Sequence, residues 1–95
     1  MKKKFKNLNE VRKNIDNVDE RLVKLIAERE SYVREALRFK ITKKQIIDRK
    51  RISIVLKRIK KLSKKYKVES VITQRIWKLM INNFIILENK LFKKK

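Results

Sequence analysis

In 95 residues the chain contains neither glycine nor proline. Glycine supplies the positive-φ corners of tight turns and proline ends helices. Hairpins and multi-stranded sheets therefore lack their usual punctuation here, and the sequence reads as helices joined by short irregular turns. Cysteine and histidine are absent as well. That removes disulfides, thiol nucleophiles, Cys/His metal sites and serine–histidine machinery, and without glycine there is no phosphate- or dinucleotide-binding loop. Any chemistry must come from Arg, Lys, Asp, Glu, amides and hydroxyls, with no metal and no cofactor expected.

A chain this short hides only roughly 60–65% of its unfolded surface alone, which makes an oligomer a reasonable expectation. The charge is extreme: 30 Lys and Arg against 10 Asp and Glu, a net +20. Clustered cations are the signature of phosphate-backbone binding, but charge by itself argues for solubility and steering rather than for one partner. No apolar region follows the basic start MKKKFKN as a signal peptide would require, and no apolar run is long enough to span a bilayer. The expectation is a cytoplasmic protein with no membrane partner.

Leu8, Val11, Ile15, Val18, Leu22, Leu25, Arg29, Tyr32, Ala36 and Phe39 follow one another at alternating steps of three and four. That is the apolar seam of one helix face, roughly 48 Å long, and it predicts a helix over about 7–40 with Asn7 or Asn9 at its start. The pattern lapses at 41–48, the expected loop, after which Asp48 can cap a second helix over about 49–66 carrying Ile52, Val55, Ile59, Leu62 and Tyr66. A third, over about 70–92 with Ser70 as its expected cap, is apolar on more than one face and should be largely enclosed. Basic tails, 1–6 and 93–95, flank this single domain of 1–95. The second helix is too short to cover the first, so the spare seam needs another chain. The expected fold is all-α, three helices per chain in an intertwined homodimer.

Arg29 is the one charge on the first seam. Lys40, eleven residues on, returns within about 20° of the same face and roughly 16 Å along the axis, so the two could grip a small anion. Glu88 interrupts the stripe Ile81, Phe84, Ile85, Phe92 of the third helix. A buried Arg29–Glu88 ion pair is the purely structural alternative, though such pairs stabilise poorly because desolvation offsets the attraction. Arg12 lies seventeen residues before Arg29, about 25 Å along the helix. No small ligand touches both on one chain, but a partner's Arg12 could lie beside Arg29, giving two carboxylate clamps in an apolar bundle.

These residues resemble the all-helical chorismate mutases and their relatives, the isochorismate pyruvate-lyases. The resemblance is carried by "LNEVRKNIDNVDERLVKLIAER" (8–29), "YVREALRFK" (32–40), "DRKR" (48–51) and "INNFIILENKLF" (81–92). It spans most of the chain, and "YVREALRFK" is closer to the lyase branch. It implies that Arg12 enters from the partner subunit to bind one substrate carboxylate and that Arg29 binds the other. It also implies that Lys40 reaches a carboxylate and the ether oxygen of the breaking C–O bond, with Arg49 beside the substrate and Glu88 facing the same ether oxygen. Lys50 stands where mutases usually carry a glutamate for the ring hydroxyl, and Phe84 replaces a small polar residue found in some mutases.

The expected function is chorismate mutase, acting on a small dianion. Isochorismate pyruvate-lyase, in the same site, is the alternative. A basic nucleic-acid-binding or catalytically inactive adaptor is the alternative of another class; it leaves Arg29 on an apolar seam without a reason.

Overall fold

A computed structural model describes residues 4–93. It contains three α-helices, α1 (Leu8–Leu37), α2 (Arg49–Lys65) and α3 (Ser70–Leu91), with a short 3-10 helix, Lys43–Ile46, between the first two. No strand occurs among the described residues. The all-α, long–short–long architecture is the expected one. Residues 1–3 and 94–95 of the expected basic tails lie outside the described part.

Asn7 starts α1: its Oδ1 accepts the Glu10 amide at 3.0 Å, the usual role of an N-cap side chain. The helix stops at Leu37, three residues short of the expected end. The amides of Arg38, Phe39 and Lys40 each donate to the carbonyl three residues back at 3.1 Å. Such bonds tighten and close a helix end, and the β-branched Ile41 and Thr42 that follow favour extended backbone. Lys40 therefore sits beyond the helix, and its placement by helical rotation from Arg29 does not hold.

Packing divides the chain into two compact units, residues 1–32 and 33–95. In the first, a single helical segment has no second apolar surface of its own to cover it. Its seam residues Leu8, Ile15, Leu22 and Leu25 are all at least 50% exposed.

The second unit is built on α2 packed against α3, with the 3-10 helix also against α3. Its buried residues are Ile46, Ile59, Ser63 and Glu88. Polar groups reinforce this thin apolar seam. The Ser63 hydroxyl lies 2.7 Å from the Ile59 carbonyl and 2.6 Å from the Thr73 hydroxyl, which is 3.1 Å from the Ser70 carbonyl. The two hydroxyl hydrogens fill two of these three contacts at a time. Gln74 Nε2 donates to the Leu56 carbonyl across the same pair of helices at 3.0 Å. Within the second unit the expected enclosure of α3 is only one-sided: Ile72, Ile76, Leu79 and Ile86 are exposed, because α2 is a single narrow helix and covers one face.

Asp48 caps α2 as expected, its Oδ1 accepting the Arg51 amide at 2.9 Å. At the far end, Val68 N donates to Ser63 O and Lys67 N to Lys64 O, the paired bonds of a Schellman turn. Lys67 occupies its left-handed position with φ 58°, where glycine is normal and a side chain costs about 1–2 kcal/mol. Glu69, not Ser70, is the N-cap of α3, and it makes no side-chain capping bond. We expect Lys67→Gly to stabilise the protein by about 0.5–1 kcal/mol and to raise Tm by roughly 2–6 °C. Thermal unfolding by circular dichroism measures this, and a lowered Tm would contradict the strain.

Candidate active site

The segment after α1 is held by local hydrogen bonds. Gln45 Oε1 accepts both the Ile41 amide, at 2.5 Å, and the Thr42 amide, at 2.9 Å. This fixes the backbone next to Lys40. The Lys40 ammonium then reaches α3, lying 3.2 Å from Glu88 Oε1 and 3.4 Å from Oε2. The side chains are 22% and 9% exposed, so the contact is an ion pair largely shielded from water. Glu88 lies in the last turn of α3, where the helix dipole is unfavourable to a negative charge. A nearby cation relieves both the dipole and the desolvation.

Lys40 has a second surface. With Gln45, Ile47, Asp48 and Arg49 it lines an open cleft of ≈ 520 Å³. The cleft includes the start of α2, whose free amides and positive dipole end favour anions. Arg49, Lys50 and Arg51 add three cations in that first turn, with no acidic residue among them. An anion entering here meets Lys40 and Arg49 from two sides, and the ion-paired Glu88 sits behind the lysine.

The chain matches the family model of chorismate mutase type II over residues 11–89. It belongs to that family. It is 34% identical over 84 residues to the bifunctional chorismate mutase/prephenate dehydratase of Buchnera aphidicola subsp. Acyrthosiphon pisum, covering 87% of this chain but only 22% of that protein. It is also 34% identical over 80 residues to the chorismate mutase of Methanocaldococcus jannaschii, covering 83% of this chain and 81% of the other. Both relatives carry mutase names, so the lean of "YVREALRFK" toward the lyase branch gains no support from them.

Of the residues singled out from the sequence, this chorismate mutase-type chain brings Lys40 and Glu88 into contact and puts Lys40 and Arg49 in one cleft. Arg12 and Arg29 belong to the first unit. Arg12 is exposed there and Arg29 is half-buried. Lys50 is exposed on α2 and Phe84 half-buried on α3. Gln45 and Asp48 line the cleft without having been read as site residues. For Gln45 a signal was present: it follows Thr42 by three residues, the spacing at which a side-chain amide reaches back to a capping residue's backbone.

Removing one partner of a shielded ion pair strands the other. We expect Lys40→Met to destabilise the chain by about 1–3 kcal/mol, and Glu88→Gln to cost less because the amide carries no charge. In the double variant part of the loss should return, as a coupling of about 1 kcal/mol or more. Urea unfolding of all four proteins gives that coupling, and strictly additive losses would show that the pair contributes nothing.

Proposed function

We propose that the chain catalyses the rearrangement of chorismate to prephenate, as a homodimer that shares each site between subunits. The carrying observation is the shielded Lys40–Glu88 pair standing behind an anion-attracting cleft that also holds Arg49, in a chain of this family. The cytoplasmic location expected from the sequence stays part of the proposal.

The reaction is pericyclic. One C–O bond breaks as one C–C bond forms, with no nucleophile, no redox step and no cofactor required. Histidine and cysteine are not missed. The protein must hold the enolpyruvyl arm over the ring and place positive charge or hydrogen-bond donors where the ether oxygen becomes negative. A millionfold acceleration corresponds to roughly 8 kcal/mol of preferential transition-state binding. The ammonium of Lys40 has three N–H donors, so it can keep one on Glu88 and offer others to the ether oxygen and a carboxylate. Glu88, through that pair, holds the ammonium in place for the same oxygen. Arg29 takes one carboxylate in a bidentate grip, the partner subunit's Arg12 takes the other, and Arg49 neutralises charge at the cleft. The net charge of +20 draws the dianion in.

The dimer is supported by the first unit, where the apolar seam of α1 has no cover within its own unit. Burying Leu8, Ile15, Leu22 and Leu25 against a second copy would remove from water the surface that one chain leaves exposed.

The direct test follows chorismate absorbance in the ultraviolet and measures the prephenate formed, with isochorismate as a second substrate and salicylate fluorescence as its readout. We expect prephenate from chorismate. Loss of chorismate no faster than without protein would reject the proposal, and salicylate alone would replace the mutase with a lyase. Site sharing has its own test. Arg12→Ala and Arg29→Ala should each be nearly inactive, and an equimolar mixture, unfolded and refolded together, should regain about a quarter of wild-type activity through heterodimers with one intact site. Activity no higher than that of the separate variants would reject the sharing of a site between subunits.

A further inference from the structure

Gln45 is pinned by one end only. Its Oε1 accepts two converging backbone amides, those of Ile41 and Thr42. An amide NH2 cannot accept a hydrogen bond, so the orientation of the side chain is set by chemistry, free of the usual ambiguity between oxygen and nitrogen. The Nε2 end takes no part in those two bonds, and among the described residues it makes no hydrogen bond. Gln45 also lines the cleft that holds Lys40 and Arg49. Two N–H donors on one residue of a cleft whose lining also carries an ammonium and a guanidinium suit a carboxylate.

We propose that Gln45 is a further substrate-binding residue, whose Nε2 donates to a carboxylate oxygen of the substrate in the Lys40–Arg49 cleft. The inference rests on the mutase proposal above and adds a neutral donor to its cationic groups. A neutral donor suits this place. A third cation beside Lys40 would raise the repulsion within the empty cleft, whereas an amide supplies direction without added charge. Because Oε1 is already committed to the backbone, binding costs little further side-chain ordering.

The decisive variant is Gln45→Glu. A carboxylate can accept both backbone amides as the glutamine does, so the loop is kept, but the donor becomes a negative oxygen facing the substrate. We expect KM for chorismate to rise about tenfold or more with kcat within about twofold, and Tm to stay within about 3 °C of wild type. The KM defect relative to wild type should shrink as pH falls toward about 4, where the introduced carboxyl takes up a proton and recovers a donor. Gln45→Ala removes both ends and should raise KM and lower Tm together. If Gln45 only holds the loop, Gln45→Glu will match wild type in KM at every pH while Gln45→Ala loses both stability and activity; that pattern overturns the inference. A fall in kcat at unchanged KM also overturns it, because it would mean that Lys40 has been diverted from the reacting oxygen rather than a binding donor lost. If the wild-type chain fails to convert chorismate, the mutase proposal falls and this inference falls with it. Normal wild-type turnover with an unaffected Gln45→Glu variant sinks this inference alone.

Discussion

The ion pair between Lys40 and Glu88 joins two parts of the second unit that backbone hydrogen bonding does not connect: the turn after α1 and the last turn of α3. A carboxylate in that helical turn, shielded from water and opposed by the helix dipole, is a poor choice for stability alone. An apolar residue would continue the stripe of Ile81, Phe84 and Ile85 at less cost. The lysine is likewise kept near its partner by a loop that Gln45 fastens through two amides. Its second surface opens onto the cleft with Arg49. A charge retained at a cost, with a free side toward a basic cleft, is the physical basis of the catalytic proposal.

The thinness of the core explains much of the rest. Within the second unit Ile46 and Ile59 are the buried apolar residues, and Ser63 and Glu88 are the buried polar ones. Two helices in contact expose most of their perimeters, so the second unit by itself does not enclose α3, and α1 buries no residue of its own seam in the first unit. Polar staples at Ser63, Thr73 and Gln74 fix the register of α2 on α3 where apolar burial is meagre. The left-handed Lys67 shows the same economy of means: without glycine anywhere in the chain, a lysine takes the strained position and the helical turn closes around it. A second copy, the occupant we propose for the spare apolar surface, would supply burial that the two units lack.

The helices themselves were legible from the sequence. Apolar residues at steps of three and four, with no glycine or proline to interrupt them, leave one local structure that satisfies the backbone, and Asn7 and Asp48 marked two helix starts through their short side-chain acceptors. Arg29, Lys40 and Glu88 stood out because charges on apolar lines are costly. The end of α1 was not legible. Its closure at Leu37 depends on three carbonyls accepting amides three residues on, a choice that the unbroken seam through Phe39 conceals. The cap of α3 was misread for a related reason: Ser70 has the right side chain, but the turn set by Lys67 places Glu69 at the cap.

By itself the sequence determined the helical class, the order of the elements, the exclusion of thiol, serine–histidine and Cys/His metal chemistry, and the charged residues that carry the functional reading. These follow from local backbone preference and from the composition, neither of which needs a neighbour. Tertiary structure alone decided that Lys40 leaves its helix to meet a carboxylate forty-eight positions away, and that Gln45 and Asp48 share its cleft with Arg49. Such meetings depend on where a loop turns and how two helices register. Both are set by the sum of many weak contacts across the fold, and no single stretch of sequence contains that sum.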